Sequence, residues 1–158
     1  MNLLFASSNI HKIQEIQALI PEHINLVGLK DIGLNSEIPE TGKTIQENAG
    51  LKAEFVANFL KNNPALINID GVFSDDSGLE VEYLNGAPGV YSARYAGEQK
   101  NDSANNDKLL RELKNCTKRQ ARFLTCIALI VNSGTLFFEG EIKGTISYEL
   151  RGNSGFGY

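Results

Sequence analysis

The sequence predicts an α/β fold built on a mixed sheet. Two observations carry that prediction. The chain opens as strand, tight polar turn and helix, and apolar periods of two and of 3.6 then alternate along its length. Toward the end, two apolar runs flank Asn132-Ser133-Gly134, so a β-hairpin joins the crossover connections expected earlier.

Leu3-Leu4-Phe5-Ala6 is a short apolar run, read as a buried strand, and Ser7-Ser8-Asn9 turns out of it. Ile10, Ile13, Ile16, Leu19 and Ile20 then recur at helical spacing until Pro21. Residues 24–34 read as a second strand and turn, and 35–43 as loop, punctuated by Pro39 and Gly42. Thr44 and Glu47 form a T-x-x-E capping box that opens a second helix, which runs to Asn62 and stops before Pro64. Gly71 to Ser74 reads as a strand entering an acidic turn, Asp75-Asp76-Ser77-Gly78. Leu79, Val81 and Tyr83 alternate with Glu80 and Glu82, the pattern of a half-buried strand. After the rigid loop Asn85 to Gly89, Asp102 or Ser103 can cap a third helix carrying Leu109, Leu110 and Leu113. Phe123 to Val131 and Thr135 to Ile142 form the hairpin, and a further strand is expected around Thr145 to Leu150.

The chain has 158 residues, which suits a single domain over 1–158, or one domain with two lobes. Apolar residues make up 42%, enough for a core and too many for a disordered chain. No apolar run reaches the roughly 20 residues that span a bilayer, and the start MNLLFASSN lacks a secretory pattern, so a cytoplasmic protein is expected. A net charge of -4 without a basic run argues against a nucleic-acid partner. Lys118, Arg119 and Arg122 form the densest basic patch, expected as solvated surface. Cys116 and Cys126 lack metal spacing, and Cys126, inside an apolar run, reads as a buried thiol. With only His11 and His23, a histidine-rich zinc site is excluded; a metal would take oxygen ligands, which favours Mg²⁺ or Mn²⁺.

Four constellations stand out. The turn Ser7-Ser8-Asn9-Ile10-His11-Lys12 puts a helix N-terminus straight after a strand, where unpaired N–H groups and the helix dipole attract anions. Lys12 lies one turn in, where it would meet a phosphate; an ordinary N-cap with a surface lysine explains the same residues. Lys52 shares a helix face with Ala49, Phe55, Val56 and Phe59, so it either snorkels to water or meets an anion. Asp75 and Asp76 are adjacent carboxylates, which repel unless a cation holds them; taken alone, a solvent-facing turn is the better account, since Asp, Ser and Gly all form turns. Glu40, in the loop before the second helix, is a loop acid that can complete an oxygen-ligand set with Asp76, while Glu47 is already explained by its cap. An anion-binding turn, two lysines and clustered acids, without thiol or histidine chemistry, fit metal-assisted attack of water on a phosphoanhydride.

The ordered series SSNIHK, ETGKTIQENAGLKA, FSDDSGLEVEYLNGAPGVYSARYAGE and GNSGFGY resembles the inosine/xanthosine triphosphate pyrophosphatases, the Ham1-like family, from Phe5 to Tyr158. The resemblance implies an elongated mixed sheet flanked by helices, with two lobes and the active cleft between them. It implies a homodimer, and a Mg²⁺-dependent cleavage of non-standard purine nucleoside triphosphates (inosine, deoxyinosine, xanthosine) between the α and β phosphates, giving a monophosphate and pyrophosphate. Carried over by position, Ser7, Ser8, Asn9, Ile10, His11 and Lys12 line the triphosphate and Lys52 adds a second cation. Glu40 and Asp76 hold the metal, Asp76 is the general base, Ser77 contacts substrate, and Asp75 is a supporting acid. Phe156, Gly157 and Tyr158 match the loop that contacts the base.

Two departures bear on these expectations. Ser8 stands where the family's turn usually has glycine, which narrows backbone freedom. The chain ends at Tyr158, where family members continue with Asp-Pro, a strand, a Ser-His-Arg motif and a final helix, so a C-terminally truncated family domain is expected. The alternatives are a nucleotide-binding protein without efficient catalysis, and a Maf-like pyrophosphatase of other base preference; the DDSG and FGY motifs favour the first family.

Overall fold

The turn residues at each element boundary decide where this chain changes conformation. In the computed structural model, which describes residues 1–64, 68–132, 134–152 and 157–158, the order is β1 (Asn2–Phe5), α1 (Ile10–Leu19), β2 (Asn25–Val27), α2 (Ile45–Lys61), β3 (Gly71–Val81), α3 (Asp102–Glu112), β4 (Gln120–Val131) and β5 (Gly134–Thr145). The strands form one sheet in the order β2-β1-β3-β4-β5. β1 pairs in parallel with β2 and with β3, the latter in the register Phe5↔Phe73. β4 and β5 are neighbours joined by only residues 132–133, too short for a parallel crossover, so they are antiparallel and the sheet is mixed, as expected.

The chain divides into two units. The first comprises Met1–Asp76 and Cys126–Phe138; the second comprises Ser77–Thr125 and Glu139–Tyr158. In the first, Leu4 and Phe5 of β1, Val72 and Phe73 of β3, and Ile45, Ala49, Ala53 and Val56 of α2 are buried, and the Phe5 and Phe73 rings stack at 4.7 Å. In the second, Leu79, Val81, Leu109, Leu113, Cys116 and Ala121 make the core. Cys126 is fully buried, as its apolar setting predicts.

Several elements depart from the sequence expectation. Asp75-Asp76-Ser77-Gly78 is not a turn: β3 runs unbroken from Gly71 to Val81, because the carboxylates gain lysine partners that a turn would not give them. Tyr83 leaves the strand and lies exposed in a 3₁₀ turn, Glu82–Leu84. Asn101, rather than Asp102 or Ser103, caps α3, accepting from the Ala104 N–H at 2.9 Å. Thr44 caps α2 as expected, but the Glu47 carboxylate reaches back past it to the Lys43 N–H at 2.6 Å. No strand forms over 146–150, where the Ile146 and Ser147 carbonyls accept from Arg119 instead.

Arg119 is itself a correction. It is 2% exposed, so it does not belong to a solvated basic patch. The apolar spacing of α1 marks a real helix, yet none of its residues is buried. Ile16, Leu19 and Ile20 instead line an apolar groove of about 250 Å³ with Phe73 and Phe138. On α2, Phe55 lies at the exposed edge, and Ile45, Ala49, Ala53 and Val56 take the core face.

Candidate active site

The site in the first unit is assembled where β1 ends and β3 continues. Ala6 N–H donates to the Phe73 carbonyl at 2.7 Å, after which β1 gives way to the polar turn. The Asn9 side chain caps α1, its Oδ1 accepting from the N–H groups of His11 at 3.0 Å and Lys12 at 3.3 Å, while Ser7 Oγ accepts from the Asn9 N–H at 3.2 Å. Ser7 is half-buried, and Ser8, Asn9, Ile10 and His11 are exposed. Among the described residues, the non-glycines with positive φ are Asn85 and Lys100; Ser8 is not one of them. Serine in place of the family's glycine therefore imposes no backbone strain here.

Beyond Phe73, alternation along β3 sends successive side chains to opposite faces. Ser74 and Asp76 meet α2: Ser74 Oγ donates to the Ala49 carbonyl at 2.5 Å, and Asp76 Oδ1 accepts from Lys52 Nζ at 3.1 Å. Asp75, on the other face, meets α1 through an ion pair with Lys12 Nζ. The two adjacent acids are thus separated by the pleat rather than held together by one cation. Both are nearly buried, at 8% and 9% exposure, so each needs its lysine.

Lys52 does not snorkel. It is 8% exposed and bridges two acids, Asp76 and Glu40, the latter at 3.0 Å. Burial works against its ammonium, but Asp76 and then Glu40 outweigh that, and its pKa stands above the ordinary lysine value. Asp76 is also pushed up, by burial first and by Glu40 in addition, with Lys52 pulling the other way.

Two residues that sequence reasoning missed hold this arrangement. The Asn48 side chain, buried in α2, accepts from the Gly42 N–H at 2.8 Å and so ties the loop bearing Glu40 to the helix. Gly42 sits so close to α2 that an added Cβ would lie 2.7 Å from Asn48 Oδ1 and 2.9 Å from its N. The second is Ser74, whose bond to Ala49 seats β3 on the helix. An asparagine inside a helix's buried face was the available signal for the first; nothing marked the second.

The donor set fits a hard cation. Glu40 Oε1 and Asp76 Oδ1 converge on one ammonium nitrogen, so both carboxylates already address a single positive charge. Among the described residues no group of three or more His, Cys, Asp or Glu is placed to hold a metal. Two carboxylates with water and phosphate oxygens are the ordinary complement for Mg²⁺, which rarely takes an all-protein cage.

The remaining expected residues belong to the second unit. Ser77 Oγ lies 3.0 Å from Thr125 Oγ1. Gly157 and Tyr158 pack on α3 and the loop before it, whereas Phe156 lies outside the described residues.

A parallel β1–α1–β2 start, with buried lysine–carboxylate pairs gathered past the carboxyl end of β1 and at mid-β3, defines an α/β protein with a charged cluster at that end of the sheet. The Ham1 family model matches residues 3–158, and the chain belongs to the Ham1 family. It is 51% identical to a dITP/XTP pyrophosphatase of Flavobacterium psychrophilum over the whole of this chain and 79% of that protein. A dITP/XTP pyrophosphatase of Porphyromonas gingivalis is 50% identical over 99% of this chain and 77% of its own length. Among solved structures, the Staphylococcus aureus Ham1 protein superposes with a TM-score of 0.86 at 40% identity, over 100% of this chain and 78% of that one. A HAM1 protein from Coxiella burnetii gives 0.87 at 35% identity, over 100% and 79%. The match favours this family over the Maf-like reading.

Proposed function

We propose that this chain is a Mg²⁺-dependent nucleoside triphosphate pyrophosphatase. It hydrolyses non-standard purine triphosphates, those of inosine, deoxyinosine and xanthosine, to the monophosphate and pyrophosphate. The observation that carries the reading is Lys52 bridging Glu40 and Asp76 beside the Lys12–Asp75 pair, a set of exchangeable charges at one end of β1. The relatives named dITP/XTP pyrophosphatase support the substrate class.

A triphosphate competes with the carboxylates for Lys12 and Lys52, and the turn Ser7 to Lys12 offers it hydroxyls beside the positive end of α1. Glu40 and Asp76 hold Mg²⁺, which when bound supplies Lewis-acid polarisation of phosphate oxygens. Asp76 takes a proton from the attacking water as general base. Water adds at the α phosphorus, the bond to the bridging oxygen breaks, and pyrophosphate leaves. Asp75 keeps Lys12 in place. Ser77 contacts the substrate, and Phe156, Gly157 and Tyr158 contact the base. The protein works as a homodimer in the cytoplasm, as the family resemblance implies; among the described residues no helix is long and apolar enough to cross a membrane.

Pyrophosphate release from inosine, xanthosine and adenosine triphosphates, with Mg²⁺ and with chelator, tests this. Rapid release from the first two, slow release from the third, and none in chelator are expected. Full turnover in chelator overturns the metal assignment, and equal rates on all three overturn the substrate class.

A further inference from the structure

α3 is a polar helix whose side chains are spent on main-chain groups outside it. Asn105 is 2% exposed and staples the preceding loop at two points, accepting from the Ala96 N–H at 2.7 Å and donating to the Ala93 carbonyl at 3.0 Å. Lys108 Nζ donates to the Tyr95 carbonyl at 2.7 Å. One helical turn apart, Asp102 and Asn106 do the same to a different segment. Asp102 Oδ2 accepts from the Gly157 N–H at 2.9 Å, and Asn106 Nδ2 donates to the Gly157 carbonyl at 3.1 Å. Both polar groups of one residue are therefore held by an i, i+4 pair on a rigid helix. Gly157 has φ +78, a left-handed conformation that glycine adopts without cost, so its peptides are fixed in direction.

The next residue is fixed as well. Tyr158 Oη donates to the Ser92 carbonyl at 2.9 Å. Ser92 is in turn locked, its Oγ accepting from the Leu79 N–H at 2.8 Å and donating to the Gly89 carbonyl at 2.6 Å. Burial, with Tyr95 and Asp102 adding to it, pushes the Tyr158 hydroxyl well above its ordinary pKa, so it stays a donor. A binding loop secured at main-chain donor, main-chain acceptor and side-chain hydroxyl is preorganised.

We propose that Asp102 and Asn106 are positioning residues for base selection: they clamp the Gly157 peptide so that Gly157 and Tyr158 present fixed groups to the purine. The inference rests on the proposed function, and neither residue touches substrate in it. Selectivity between a 6-oxo and a 6-amino purine depends on polar groups held where the wrong base leaves them unpaired, so loosening the loop lowers discrimination more than it lowers phosphate binding.

The test is the ratio of kcat/KM for inosine over adenosine triphosphate, together with the inhibition constant of inorganic triphosphate and the thermal midpoint. Asp102→Ala removes the acceptor, and Asn106→Asp sets a carboxylate against the Gly157 carbonyl. Each is expected to lower the ratio about tenfold, the upper end of what one lost hydrogen bond is worth, with the inhibition constant of triphosphate within about twofold of the parent. Asp102→Asn keeps an acceptor at the same place and is expected to restore most of the ratio. An unchanged ratio in folded Asp102→Ala and Asn106→Asp, in a parent that prefers inosine triphosphate, overturns the clamp alone. A parent without that preference overturns the proposed function and the clamp together. Equal losses in ratio for Asp102→Asn and Asp102→Ala also overturn it, since the hydrogen bond would then not be the cause.

Discussion

The buried charges of the two units find their partners in opposite ways. In the first, charges answer charges: Lys12 with Asp75, and Lys52 with Glu40 and Asp76. In the second, the buried Arg119 answers the main chain, at Leu113, Ile146 and Ser147, as the buried Asn105 does at Ala93 and Ala96 and the more exposed Asp102 and Asn106 do at Gly157. A charge pair can trade its partner for a ligand of the same sign, so it is suited to a site that fills and empties. A bond to a fixed carbonyl has no such substitute, so it is suited to holding shape. Ion pairs of this buried kind add little net stability, whereas an abandoned buried carbonyl is costly.

The comparison is broken most severely at Asp76. Asp76→Asn keeps the shape and a hydrogen-bond acceptor for Lys52 but removes the proposed base and one carboxylate. Turnover is expected to fall about 10²–10⁴-fold from loss of the base alone, with a much smaller change in substrate affinity. The thermal midpoint should fall as well, because the buried Lys52 ammonium is left with Glu40 as its one full counter-charge among the two it bridges. Stopped-flow pyrophosphate release and denaturation curves measure the two. Near-parental turnover would remove Asp76 from the chemistry.

Arg119 is the matching break in the second unit. Arg119→Met strips three carbonyls of their donors at once and removes a cation stacked 4.5 Å from the Tyr148 ring. A loss of about 3 kcal/mol or more is expected in denaturant unfolding. Arg119→Lys should recover only a part, since an ammonium cannot span carbonyls that a planar guanidinium reaches together. A loss under about 0.5 kcal/mol in Arg119→Met would mean that these bonds do not hold the fold.

The same contrast governs what the sequence made legible. A charge pair leaves a complementary letter elsewhere in the chain. Lys52 on an apolar face called for an anion, and Asp76 and Glu40 were there to supply it. A staple to the main chain leaves no complement, because every residue carries a carbonyl. That is why Arg119 read as surface, and why Asn48 and Asn105 drew no notice. Local chemistry was legible at the helix starts: Asn9 and Thr44 cap where their side chains predict. It misled at Asp75 to Gly78, where turn-forming residues lie in a strand because their partners come from far along the chain, Lys12 being 63 positions from Asp75.

Two glutamates in the same stretch sharpen the distinction at its smallest scale. Glu40 answers a charge, Lys52, while Glu47 answers a main-chain group, the Lys43 N–H at 2.6 Å. Glu47 is therefore a staple that happens to carry a charge, and what it supplies is an acceptor near a helix N-terminus. Glutamine is also an acceptor. Glu47→Gln should leave turnover within about twofold of the parent and cost only about 0.3–1 kcal/mol, the worth of a carboxylate at the helix dipole. Glu40→Gln, an identical change of one atom, should lower turnover strongly and raise the Mg²⁺ concentration needed for half-maximal rate. Measuring both variants across a Mg²⁺ titration separates the two roles. If Glu47→Gln shifts the Mg²⁺ requirement as far as Glu40→Gln does, then Glu47 is a member of the charge network and the division between exchangeable pairs and fixed staples does not hold within the first unit.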